Sequence, residues 1–128
     1  MANLFNDNFG STTPDKLFAG INHPVDIKSV TLLAGQGVLK RGAVLGIVTA
    51  SNKAKLVDSS AADGSQTADC ILTDDVDTTA GDVVTTAYIS GEFNRQALIF
   101  GGSDTADKHE IRLRELGIFL KDVVEYNE

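Results

Sequence analysis

The alternation of apolar and polar residues predicts short β-strands along most of the chain. From Ile21 onward, apolar residues alternate at Val25 and Ile27 and then change phase to Val30 and Leu32, which indicates a bulge or bend. Further β-branched and aliphatic runs, separated by turn residues, are "GQGVLKRGAVLGIVTASNKAKLV", "QTADCILTD", "DVVTTAYISGEF" and "GIFLKDVVEY". The pattern therefore predicts a mostly β domain of about six short strands.

One helix is predicted in the C-terminal half, over residues 105–116. Asp107 is the predicted N-cap because Glu110 follows three residues later, as in a capping box. Gly117 is expected to end the helix in the left-handed conformation. A second, shorter helical turn is predicted in "EFNRQALIF", with Asn94 as its cap.

The first 20 residues show neither strand nor helix periodicity, and we interpret them as a flexible N-terminal arm preceding a domain at 21–128. Phe5, Phe9 and Phe18 lie in this otherwise polar segment. Exposed aromatic side chains favour a partner surface that covers them. The alternative is that Phe18 packs on the domain with Leu17, while Phe5 and Phe9 contact nothing.

Composition and charge exclude several classes of function. The 128 residues suit a single domain, and a net charge of -7 with scattered basic residues argues against nucleic-acid binding. Membrane spans need about 18 consecutive apolar residues, and the sequence has no such run. The start "MANLFNDN" lacks the features of a signal peptide, so we expect synthesis in the cytoplasm.

Six aspartates fall within residues 61–83, which raises the question of a cation site. An EF-hand loop starting at Asp75 fails, because Thr79 occupies position 5 and Ala80 replaces the required glycine at position 6. We interpret the segment as a hairpin in which Asp77 bonds the backbone ahead of it and Gly81 supplies a positive φ. A calcium- or carbohydrate-binding β module remains the alternative function.

No catalytic constellation is visible, and no cofactor or metal site is expected. Cys70 lies in the apolar run "ADCILT" and is predicted to be a buried hydrophobic side chain. His23 and His109 have no cysteine or second histidine at metal-ligand spacing. A hydrolase would require an exposed Cys70 with a lowered pKa.

Four blocks carry a resemblance to a known family: "LKRGAVLG", "DGSQTADCILTDDVDTTAGD", "GEFNRQALIF" and the helix leading into "LRELGIFLK". In this order they resemble the bacteriophage head decoration proteins related to the capsid-stabilising protein D of lambda, over residues 17–121. The resemblance implies a β-clip or β-tulip domain that is not an enzyme. It also implies homotrimers at threefold positions on the outside of the expanded icosahedral head, where they clamp the major capsid protein against internal DNA pressure.

The resemblance implies an arm that becomes ordered on the shell. Together with the aromatic residues of the predicted arm, it suggests Phe5, Phe9, Lys16 and Phe18 as residues that contact coat protein. Lys28 is a further basic candidate for contact with an acidic coat surface. The expected location is the outer surface of the virion head, with synthesis in the host cytoplasm and no nucleic-acid or membrane partner.

Overall fold

A computed structural model describes residues 16–20 and 22–122. The strands are β1 (Phe18–Gly20), β2 (Asp26–Leu32), β3 (Val38–Leu39), β4 (Val44–Val48), β5 (Lys53–Leu56), β6 (Ala68–Leu72), β7 (Val76–Asp77), β8 (Val83–Asn94) and β9 (Ile118–Lys121). A short 3-10 helix covers Arg95–Ala97, and α1 covers Ala106–Leu116. The mostly β prediction is confirmed. The count exceeds six because β1, β3 and β7 have only two or three residues, too few to give a periodic pattern.

The long strand β8 organises a small barrel-like sheet. It pairs antiparallel with β1, β2 and β6 and parallel with β9. β4 and β5 close the barrel, since β4 pairs with both β5 and β6 and β5 pairs with β2. The predicted irregularity in β2 is present, although it lies between Asp26 and Ile27, before the change of phase. A separate two-stranded sheet joins β3 to β7.

Two apolar clusters fill the fold. The first packs α1 against the barrel and β9, and its members include Leu17, Val44, Ile71, Phe93, Leu113 and Ile118. The second fills the barrel between β2, β4, β6 and β8, and its members include Leu32, Leu45, Cys70, Leu72 and Ala87. β6 supplies both clusters because its neighbouring side chains point to opposite faces of the sheet.

The predicted helix is confirmed, but its predicted cap is wrong. The N-cap residue is Thr105, which makes no side-chain capping bond, and Asp107 lies inside the first turn. There its charge still faces the positive end of the helix dipole. Gly117 ends the helix with φ of 97°, as predicted, and the Asn94 side chain caps the 3-10 helix by accepting from Gln96 N–H at 3.1 Å. Among the described residues, no helix is long and apolar enough to cross a membrane.

The predicted hairpin in the acidic segment is only partly correct. Asp77 accepts from Thr79 N–H at 2.9 Å as predicted, and β6 pairs antiparallel with β8. Gly81, however, does not adopt a positive φ. The connection is also not a tight turn, because β7 lies within it and pairs Val76 with Leu39 of β3. Pairing with β3 lets Val76 pack against the second cluster.

Candidate functional site

The region where the N-terminal segment joins the domain, which we call the root (residues 16–20), is part of the fold. Leu17 is buried, and its carbonyl oxygen accepts from Asn94 N–H at 2.7 Å. The Phe18 ring packs edge-on against Tyr88 with centroids 5.0 Å apart, and against Phe93 at 4.9 Å. Leu17 and Phe18 thus pack on the domain, as in the alternative considered for the arm, because Leu17 is a member of the first cluster and Phe18 packs against it.

Arg41 covers the root from the turn between β3 and β4. Its Nη1 donates to the Thr73 carbonyl oxygen and to the Tyr88 hydroxyl, both at 2.7 Å. Its guanidinium carbon lies 5.8 Å from the Phe18 ring centroid and 5.5 Å from that of Tyr88. This arrangement combines cation–π attraction with directed hydrogen bonds. Sequence reasoning missed it because the three side chains are brought together only by strand pairing.

The acidic segment places its carboxylates on nearby donors. Asp75 accepts from Arg41 N–H at 2.8 Å, and Asp74 accepts from Asp75 N–H at 2.9 Å. Asp82 accepts from Ala34 N–H at 2.8 Å and from Lys53 Nζ at 2.5 Å, and the Lys53 bond is the main reason that the pKa of Asp82 is lowered. In residues 16–20 and 22–122, no group of three or more His, Cys, Asp or Glu side chains is arranged to hold a metal ion.

Cys70 is completely buried, as predicted. Burial, reinforced by the neighbouring charge of Asp69, raises the pKa of the Cys70 thiol to about 12. A cysteine nucleophile acts as the thiolate, so this thiol is protonated and unreactive at neutral pH. The His23 ring stacks on Phe119 with centroids 4.3 Å apart and lies 3.7 Å from a Glu92 carboxylate oxygen.

His109 belongs to a polar network, centred on the buried Asp104 side chain, that sequence reasoning missed. The Asp104 carboxylate accepts from Ser59 N–H and Ser59 Oγ, each at 2.6 Å, and lies 2.8 Å from His109 Nε2. Burial opposes ionisation of Asp104, but these hydrogen bonds outweigh it and lower its pKa to about 2. The network fastens the loop after β5 to the start of α1. Its sequence signal is weak, since an Asp and a His five residues apart are common.

A barrel-like β domain with one helix and a structured N-terminal root agrees with the four-block resemblance. A family model described as bacteriophage lambda head decoration protein D matches residues 8–119. The chain belongs to this family. No curated protein matches the chain.

Family membership defines the general role of the protein. It is a structural decoration protein of a phage head, it associates with the capsid, and it is located in the virion. The resemblance inferred from the sequence blocks is therefore confirmed.

The structure locates two of the four residues expected to contact coat protein. Phe5 and Phe9 lie outside the described residues, although Phe9 is within the family match. Lys16 is exposed at the start of the root, whereas Phe18 is half-buried in the aromatic cluster. The further candidate Lys28 forms an ion pair with Asp69, with Nζ 2.5 Å from Oδ2.

Proposed function

We propose that this protein binds as a homotrimer to the outside of the expanded icosahedral head, at its threefold positions, and stabilises the shell against internal DNA pressure. The observation that carries the proposal is the family match over residues 8–119, which covers nearly the whole described domain. The partner is the major capsid protein, and the domain is of the β-tulip or β-clip type. The protein is made in the host cytoplasm and joins the head after expansion.

Attachment in this proposal is non-covalent and multivalent. A trimer presents to the shell three N-terminal segments and three domain surfaces that face the coat. Each contact after the first is therefore intramolecular and benefits from a high effective concentration. The composite site around a threefold exists only when coat subunits have reached their mature positions. Free protein is therefore expected not to bind unexpanded shells.

Residues 1–15, which we call the N-terminal segment, supply part of this attachment. Phe5 and Phe9 are its aromatic residues, and each can bury roughly 150–250 Å² in a coat pocket. An extended segment can also add a strand to an exposed coat sheet edge, gaining backbone hydrogen bonds with little demand on side-chain identity. Lys16 and Phe18 then mark where the segment leaves the domain.

The acidity of the chain suits an outer surface. With a net charge of -7, many copies on one head give particles a like charge that keeps them apart. The carboxylates of Asp75 and Asp82 already accept hydrogen bonds within the domain, which gives no support to the alternative of a calcium-binding module. In this proposal the acidic segment, residues 61–83, faces solvent and does not contact coat protein.

Electron microscopy of purified protein mixed with expanded, undecorated heads tests this proposal. We expect trimeric density on the outside of the shell at threefold positions. The matched control is the same protein mixed with unexpanded heads, which should stay bare. Density for single copies along coat twofolds, or equal binding to both kinds of head, would contradict the proposal.

A further inference from the structure

The turn between β3 and β4, residues 40–42, packs directly on the root. Gly42 has φ of 96°, and a Cβ there would lie 2.8 Å from the Ala97 carbonyl oxygen and 3.3 Å from Leu17 Cδ1. A side chain at this position would clash with the Ala97 carbonyl oxygen and crowd Leu17, and the positive φ also favours glycine. The neighbouring Arg41 places its guanidinium over the ring of Phe18, the residue after Leu17. Arg41 and Gly42, in the "LKRG" of the first sequence block, thus form one wall of the root.

We propose that Arg41 is a positioning residue that clamps the root and fixes where the N-terminal segment leaves the domain. The inference rests on the proposed function, since it concerns how that segment reaches the coat. The backbone anchor of the root is short. β1 pairs with β8 at two positions, with an irregularity between them, and one further backbone hydrogen bond joins the Leu17 carbonyl oxygen to Asn94 N–H. Side-chain contacts must therefore supply most of the hold.

Arg41 is suited to this task by its connections to three parts of the fold. Its guanidinium joins the Phe18 ring to Tyr88 of β8 and to the Thr73 carbonyl oxygen after β6. Its own backbone N–H is held by Asp75. The backbone and the guanidinium of Arg41 are thus each held by hydrogen bonds, and the planar guanidinium is suited to stacking on an aromatic ring.

A root that opens imposes an additional cost on attachment. Each residue whose backbone becomes free must be ordered again when the segment binds, and ordering one residue changes an equilibrium by about tenfold. Loss of the clamp should thus weaken head binding about tenfold, although Phe5 and Phe9 of the N-terminal segment are unchanged. The same loss should expose the root in the free protein.

Trypsin cleavage after Lys16 measures the clamp without any coat protein. The bond between Lys16 and Leu17 is cleaved only when the root opens, because a protease needs an extended chain on both sides of the bond. Cleavage after Lys53 in β5 serves as the reference, because it reports opening of the barrel. We expect Arg41→Met to raise the ratio of the cleavage rate after Lys16 to that after Lys53 about tenfold. Arg41→Lys should fall between Arg41→Met and wild type, because it keeps a donor but loses the planar stack.

Lys40→Met is the matched control. It removes the same charge from the neighbouring position, where the Lys40 side chain is 63% exposed and its Nζ lies 3.8 Å from Asp75 Oδ2. Cleavage after Lys16 should then match wild type. If Arg41→Met leaves the ratio of the two cleavage rates unchanged, the clamp does not exist and the inference is overturned.

Head binding separates this inference from the function on which it rests. Arg41→Met should reduce occupancy of expanded heads in the full chain but make no further difference once residues 1–15 are deleted. If the deletion lowers occupancy and Arg41→Met does not, the clamp has no role in attachment and the inference fails. If the deletion itself leaves occupancy unchanged, the proposed role of the N-terminal segment fails, whatever trypsin shows about the root.

Discussion

Removing the Asp104 carboxylate tests whether the Asp104 network holds α1 on the barrel. In Asp104→Ala, Ser59 and His109 lose the acceptor that they share. Hydrogen bonds to a charged group contribute about 1.5–3 kcal/mol each, and bonds to a single carboxylate are coupled rather than additive. Since the His109 side chain is only 5% exposed, water cannot easily replace the lost partner.

We expect Asp104→Ala to lower the free energy of unfolding by about 3 kcal/mol. For a chain of this length, this corresponds to a decrease in Tm of about 10 °C. The measurement is urea denaturation followed by circular dichroism, at one protein concentration because trimer formation would couple stability to concentration. Asp107→Ala is the matched control, because its side chain is 91% exposed and its loss should cost only about 0.5 kcal/mol.

The same carboxylate predicts a dependence of stability on pH. The pKa of Asp104 is lowered from 3.8 to about 2 in the folded protein, so its contribution is fully present above pH 3.8 and is lost as the pH falls toward 2. Wild type should therefore lose more stability than Asp104→Ala between pH 4 and pH 2. The reasoning is refuted if the two proteins have parallel pH profiles, or if Asp104→Ala is no less stable than Asp107→Ala at neutral pH.

Three further predictions concern the core, the acidic loop and the N-terminal segment. Cys70→Ser should lower stability by about 1–3 kcal/mol, because it buries a hydroxyl in an apolar cluster; an unchanged Tm would contradict this. Replacing Asp74, Asp75 and Asp77 together by Asn should preserve head occupancy, since each amide oxygen can still accept the same backbone hydrogen bond. Loss of head binding would instead show that these residues lie in the interface with coat protein. Deleting residues 1–15 should leave Tm nearly unchanged but sharply reduce occupancy, and Phe5→Ala with Phe9→Ala should reproduce much of that loss.

Features governed by local sequence were predictable. The end of α1 at Gly117 and the cap at Asn94 depend on a few neighbouring residues, and both predictions are confirmed. The Asp107 cap was wrong because a shift of two residues in the helix start changes which side chain reaches the free N–H groups. The burial of Cys70 was predictable from its apolar neighbours on one strand.

Features governed by contacts distant in sequence were not predictable. β7 in the acidic segment pairs with β3, which is distant in sequence. The residues of the segment alone therefore predicted a simple hairpin. The stacking of Arg41 on Phe18 requires β1 and the turn after β3 to meet at β8, and no spacing in the chain encodes that meeting. The sequence thus predicted that the N-terminal segment contacts coat protein, but it did not predict how Arg41 and Phe18 connect that segment to the domain.

That connection determines how a load would pass from the shell into the protein. In the proposed attachment, a pull on the N-terminal segment reaches Leu17 and Phe18 first, and β1 transfers it to the C-terminal half of β8. β9 pairs with that half of β8 over four positions, while β2 pairs with the other half over seven. A load entering at the three-residue β1 is therefore shared at once by β8, the longest strand, and by β2 and β9, which pair along it. The weakest step is the junction between β1 and β8, which is where Arg41 adds its contacts.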